Sequence, residues 1–152
     1  MKKKLLIIFL CGVMALGVTG CGKQKNEFDI GNKSNIKISQ NDVTMTIKEG
    51  TLTNKSATLV LTNHSDKKFQ YGNPYEIEIK KDGEWHKINA ELDFDMPAFQ
   101  LSAKESNEIE LDWENGYGKL AKGTYRIIKE IDYEYKEGKY ETSNIAVEFN
   151  IK

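Results

Sequence analysis

The chain has 152 residues, enough for one domain with a real hydrophobic core. Its 22 Lys+Arg side chains nearly balance 23 Asp+Glu, which argues against a nucleic-acid binder, since such a protein carries a basic stripe. With two cysteines and two histidines, it also lacks the spaced ligand clusters of a zinc module.

The first element is N-terminal. Lys2, Lys3 and Lys4 precede an almost unbroken apolar run, residues 5–18, that carries no charge. A membrane span needs roughly 20 apolar residues, so the run is short for that and suits the h-region of a signal peptide. It closes on Val18-Thr19-Gly20-Cys21, which resembles the lipobox of bacterial lipoproteins. That resemblance implies cleavage between Gly20 and Cys21 and a diacylglycerol with palmitate-type acyl chains on the Cys21 sulfur. The protein is then expected on the extracytoplasmic face of the cell membrane, held by lipid. An uncleaved signal anchor, or plain secretion with cleavage elsewhere, are the alternatives.

Loss of residues 1–20 removes three lysines and no acid, leaving 132 residues with 19 basic and 23 acidic side chains. A net negative domain is not drawn to anionic lipid by charge, so the acyl chains must anchor it, each buried CH₂ contributing about 0.8 kcal/mol. Cys11 leaves with the signal and Cys21 is acylated, so the folded domain has no thiol, no disulfide and no cysteine-ligated metal.

Residues 21–35 begin with the lipidated cysteine and continue as a polar stretch of low periodicity, expected to be a flexible tether. From Ile36 the pattern turns to period two, and residues 36–152 are expected to form one β-domain. Val43, Met45 and Ile47 alternate with polar residues, as do Ala57, Leu59 and Leu61, then Tyr75, Ile77 and Ile79, then Ile109, Leu111 and Trp113. Tyr125, Ile127, Ile131, Tyr133 and Tyr135 share one face of a long strand, and Ile145, Val147, Phe149 and Ile151 share one face of the last. One apolar and one polar face per strand is the mark of antiparallel sheets. Asp82-Gly83 between two such runs predicts a hairpin turn with positive φ at both positions. Residues 115–122 have room for one short helical turn.

Leu120, Gly123 and Tyr125 precede the long strand in the spacing of a tyrosine corner. In immunoglobulin-like sandwiches a tyrosine near the start of the F strand turns its hydroxyl back onto the upstream backbone and pins the corner between the sheets. Around this motif, the run from Thr58 to Ser65, Tyr71-Gly72, Tyr75-Glu76-Ile77-Glu78, Gly83-Glu84-Trp85, Trp113, Tyr117-Gly118 and Gly123-Thr124-Tyr125-Arg126-Ile127 resembles, in order, a bacterial Ig-like domain family. That resemblance covers roughly residues 40–150. It implies an all-β, immunoglobulin-like antiparallel β-sandwich and an extracytoplasmic setting on Gram-positive lipoproteins or surface proteins, and it carries over no catalytic residue. A strand ending in Asn63-His64-Ser65, a glycine-marked turn and a later tryptophan are also similar to the BsuPI family of bacterial proteinase inhibitors. No inhibitory residue transfers from that second likeness.

Side chains that bear chemistry are sparse. His64 falls in a turn and His86 beside Trp85 on a polar or edge face. Neither has a nucleophile or a ligand set around it. Glu91, Asp93 and Asp95 alternate with Leu92 and Phe94 but lack a calcium-loop pattern, and read as a solvated loop or edge strand. Trp85 and Trp113 are expected in the core. Tyr71, Tyr133, Tyr135 and Tyr140 lie near loops and are the candidate interaction surface, because tyrosine gives contact area at low entropic cost.

The expectation is therefore a non-enzymatic, lipid-anchored binding or interaction module of the cell envelope. It is expected to be a monomer that needs no cofactor beyond the covalent diacylglycerol on Cys21 and that recognises an envelope protein or wall component. The alternative is a proteinase inhibitor, with residues 94–101 around Pro97 as the loop that enters a protease cleft.

Overall fold

The computed structural model describes residues 28–39 and 42–152. Gly20 and Cys21, with the signal, cleavage and lipidation expectations, lie outside them. Ten strands and one helical turn follow in chain order: β1 (Asp29–Lys33), β2 (Val43–Ile47), β3 (Ser56–Asn63), β4 (Phe69–Tyr71), β5 (Glu76–Lys81), β6 (Glu84–Asn89), β7 (Phe99–Leu101), β8 (Ser106–Asp112), α1 (Glu114–Tyr117), β9 (Gly123–Lys136) and β10 (Lys139–Ile151).

The strands form two sheets in which every pairing is antiparallel. The smaller sheet has the order β2-β3-β8. The larger sheet is organised around β9, which pairs with β10 along its whole length on one edge. Its other edge is shared: β5 lies opposite Tyr125 to Ile128, and β4 opposite Ile131 to Tyr133. Beyond β5 come β6 and β1, and beyond β4 comes β7. In immunoglobulin lettering, β2, β3 and β8 take the places of A, B and E, and β10, β9, β5 and β6 those of G, F, C and C′. This is an immunoglobulin-like β-sandwich.

The period-two pattern explains the core. Leu59 and Leu61 from β3, Ile77 and Ile79 from β5, and Tyr125, Ile127 and Ile131 from β9 point between the sheets and are buried. Trp113 is fully buried just after β8, donates its indole N–H to the Asn54 carbonyl at 3.1 Å, and packs on Phe149 at 6.0 Å. The Asp82-Gly83 turn between β5 and β6 has φ of 51° and 83°, the left-handed pair that a two-residue hairpin needs.

Three expectations need correction. The tether expected to run through residue 35 stops earlier, because Asp29–Lys33 is β1 and pairs with β6. Its one strong apolar side chain, Ile30, opposite Ile88, gives an edge strand almost no period-two signal. Trp85 is not between the sheets. Ile88 faces inward, so by parity Trp85 faces out, where it is half-buried against the Arg126 guanidinium at 4.6 Å. By the same parity His86, directly opposite buried Ile79, is on the inner face at the sheet margin rather than on the polar face.

The outer face of the larger sheet is not bare. Residues 34–39 cross it from β6, where the Ser34 amide donates to the Trp85 carbonyl at 2.8 Å, to β10, where the Ser39 amide donates to Asn144 at 2.9 Å. Ile128, Glu78 and Arg126, all on that outer face, are consequently buried.

Candidate functional site

The tyrosine corner is built as its spacing requires. The Tyr125 hydroxyl donates to the Ala121 carbonyl at 2.7 Å, and Leu120 is buried beneath. Gly123 lies under the ring, where an added Cβ would come within 3.2 Å of it. Burial pushes the Tyr125 hydroxyl pKa up to about 12. The motif organises the fold, and its Leu120 and Tyr125 side chains are buried.

The four tyrosines expected to form an interaction surface do not come together. Tyr71 is buried, stacked on Phe99 at 5.5 Å, and its hydroxyl accepts from the Asn107 amide at 3.1 Å. Tyr133 is half-buried against Phe69 at 5.5 Å, under the Lys67 ammonium at 4.4 Å. Only Tyr135 and Tyr140 are exposed, near the tip of the β9–β10 hairpin. The inhibitory-loop candidate is shorter than residues 94–101, since Phe99–Leu101 is β7 and Phe94 packs edge-on against Tyr75 at 5.3 Å. What remains is residues 95–98, with Met96 81% exposed. His64 is exposed in its turn and hydrogen-bonded to the Thr44 hydroxyl at 2.9 Å.

The principal concave surface lies elsewhere, and it gathers the acidic run. A groove of about 510 Å³ runs between β8 and residues 91–95. One wall is the stretch from Ile109 to Asp112. The other carries Glu91, Asp93 and Asp95, with Tyr75 and Phe94 in the floor. That second wall is held in place from behind. Leu92 sits on Gly116 of α1, where an added Cβ would fall 2.0 Å from Leu92 Cδ2. Tyr75 packs on Tyr117 at 6.1 Å, and the Tyr117 hydroxyl accepts the Ile77 amide at 3.0 Å.

The groove is electrostatically one-sided. Five carboxylates line it and no lysine or arginine does. Among the described residues, Glu91, Asp93, Asp95 and Glu110 take part in no ion pair, whereas Glu76, Glu84, Glu108, Glu114 and Glu148 each face a lysine. The Tyr75 hydroxyl pKa is raised well above its usual range by burial first, then by Tyr117 and Asp112 beside it. Burial pushes Tyr117 up to about 12. Among the described residues, no three His, Cys, Asp or Glu side chains converge as a metal-ligand set. The groove can therefore attract cationic groups over an apolar floor, and it offers no positioned nucleophile–base pair for chemistry.

Three buried charges were not expected from the sequence. Lys129 occupies an inward position of β9, is 1% exposed, and donates to the carbonyls of Gly72, Asn73 and Pro74 at 2.8, 3.3 and 3.0 Å. It fills the place where β9 changes partner from β5 to β4. The signal was present in its parity with Tyr125, Ile127 and Ile131. Glu78 and Arg126, the only arginine in the chain, form an ion pair at 2.6 Å beneath residues 34–39. Their hydrophilicity concealed that the outer face is covered.

Residues 39–150 match the bacterial Ig-like domain family, well over half of the chain. No curated protein and no solved structure matches it.

Proposed function

The chain belongs to the bacterial Ig-like domain family, and from that premise we propose that it is a lipid-anchored, extracytoplasmic interaction module without catalytic activity. One observation carries the proposal: a cleavable-looking apolar leader ending in Val18-Thr19-Gly20-Cys21 stands directly ahead of an Ig-like sandwich. Only residues 22–28 separate Cys21 from β1. A domain on so short a connection works close to the membrane surface, at partners within the envelope. The family is defined by its fold and not by a reaction, so the working surface is one of shape and charge. The acidic groove and the exposed Tyr135 and Tyr140 are the two places that offer it.

The test has two parts. Cys21→Ser should release the protein to the medium or leave an unprocessed precursor, and retention at mature size would contradict the anchor. In-cell crosslinking of the anchored protein, followed by mass spectrometry, should return one reproducible envelope partner. An empty capture at good crosslinking yield would contradict the interaction module.

A second reading, a proteinase inhibitor, is supported by the short loop at residues 95–98. Met96 is prominently exposed there, between Phe94 packed on Tyr75 and β7 hydrogen-bonded to β4. Such a loop, braced at both ends, should slow a subtilisin-type protease stoichiometrically and stay uncut. Cleavage after Met96 without inhibition would remove this reading.

A further inference from the structure

The smaller sheet has two outer edges, β2 and β8, and the β8 edge opens onto the acidic groove. β3 pairs with one edge of β8, and among the described residues no strand pairs with the other. The register fixes which backbone groups are left over. The Trp113 amide donates to Lys55, and the Asn63 amide donates to the Glu105 carbonyl, both at 2.9 Å. Odd-numbered residues along β8 therefore direct their N–H and C=O groups at β3, and Ser106, Glu108, Glu110 and Asp112 direct theirs away, where the Asp112 carbonyl already accepts the Tyr75 hydroxyl at 3.4 Å. In a constant-type immunoglobulin sheet a D strand takes this edge. Here residues 91–95 stand off from β8 across the groove and are not paired with it.

Charge explains why the gap stays open and what would close it. Glu91, Asp93 and Asp95 stand on one wall, Glu110 and Asp112 on the other. Like charges facing each other across a strand pair are destabilising, so the two walls do not zip together. Leu92 on Gly116 and Phe94 on Tyr75 hold the outer wall where it is. A strand laid between them would meet the outward backbone groups of Ser106, Glu108 and Glu110, an apolar floor on its inward side and carboxylates along both flanks.

We propose that this groove receives an extended, lysine- or arginine-bearing segment of another envelope protein, which adds as a further strand to the edge of β8. The main-chain hydrogen bonds supply the attachment and the alternation of side chains supplies the selection. Because successive residues of a strand face opposite sides, the segment alternates small or β-branched residues toward the floor with cations toward Glu110, Asp112 and Asp93. This rests on the interaction-module reading and names its site and the chemistry of its partner.

The test uses the full chain in non-ionic detergent and two fluorescein-labelled heptapeptides, Lys-Thr-Lys-Val-Lys-Thr-Lys and its counterpart with every Lys replaced by Glu. Fluorescence anisotropy should show binding of the basic peptide alone, weakening as salt is raised. Glu110→Gln and Asp93→Asn should each weaken it by about two- to fivefold, the range of exposed ion pairs. Both residues are exposed, so the melting midpoint should hold and loss of fold would not be mistaken for loss of binding. Bound peptide should slow hydrogen exchange at the Glu108 and Glu110 amides. No binding, binding indifferent to both substitutions, or binding without protection of those amides would overturn the proposal. The interaction-module reading is judged apart from it. A partner still crosslinked by the Glu110→Gln, Asp93→Asn double variant keeps that reading and discards this site. Failure of the wild-type chain to capture any partner discards both.

Discussion

The Tyr125 hydroxyl donates to the Ala121 carbonyl at 2.7 Å across the turn that leads from α1 into β9. The bond spans four residues and fixes where β9 enters the larger sheet, while the Leu120 amide donates to Asn54 at 2.9 Å and ties the same turn to the smaller sheet. Tyr125→Phe removes the hydroxyl and leaves the ring stacked on Phe149 at 5.6 Å. It should lower stability by about 1–2 kcal/mol, read as a lower urea midpoint at unchanged slope. An unchanged midpoint would deny the corner its role.

Arg126 and Glu78 should behave as a unit. Two guanidinium nitrogens converge on one Glu78 oxygen at 2.8 and 2.6 Å, and Trp85 covers the guanidinium, while the other Glu78 oxygen has no hydrogen-bond partner. Arg126→Met strands a buried carboxylate and should cost about 3–5 kcal/mol. The double variant Glu78→Met, Arg126→Met should recover most of that loss, since a buried pair replaced by apolar side chains is often close to neutral. A double variant as unstable as the single one would show that the ion pair itself, and not the stranded charge, sets the stability.

Lys129 predicts a pH dependence. Burial lowers its pKa from 10.5 to about 8. Between those values the unfolded chain holds a proton that the folded chain has released, so stability rises with pH across the interval. The rise should be on the order of 1–3 kcal/mol between pH 8 and 10. Above pH 10 the raised pKa values of Tyr75, Tyr117 and Tyr125 work the other way, because the unfolded tyrosines lose their protons first. Lys129→Met should flatten the rise. It should also cost about 1–3 kcal/mol at pH 7, through the three carbonyls it leaves without their donor. Denaturation series of both proteins at pH 7, 8, 9 and 10 check the two effects together.

How far the sequence reached depends on what each residue faces. β2, β3, β5, β8, β9 and β10 were legible because a half-buried strand must alternate, and Leu59, Ile77 and Ile127 do. β1 and β7 were not, because three to five residues at a sheet edge bury too little to leave a pattern, and β4 was not, because three residues are too few to show alternation even with Phe69 and Tyr71 buried. Trp85 was misplaced because size was read as burial when parity with Ile88 gave the answer. The acidic run was legible as a run. Its role as one wall of a groove was not, since the opposite wall comes from β8, more than a dozen residues later. Lys129 and Arg126 were hidden by the rule that charge means solvent, which fails where β9 changes partner and where residues 34–39 cover the sheet.

Gly116 should be necessary for the shape of the groove. A methyl group there collides with Leu92 Cδ2 at 2.0 Å, so Gly116→Ala must displace the Leu92 side chain and should shift with it the wall carrying Glu91 and Asp93. The substitution should lower stability by about 1–2 kcal/mol through overpacking, despite alanine's higher helix propensity. It should also weaken binding of the basic peptide while leaving the Glu110 wall intact. Unaltered stability and binding would mean that Leu92 moves aside freely and that the wall is not fixed.

Site-specific photocrosslinking in the intact cell envelope tests the proposed β8 groove most directly. A photoreactive amino acid replaces Glu110 in the groove or, as a control, Glu137 at the tip of the β9–β10 hairpin. One discrete adduct to a basic segment of an envelope protein is expected from position 110 and none from position 137. An adduct from position 137 alone, or equal labelling from both, would contradict the groove as the place where this domain meets its partner.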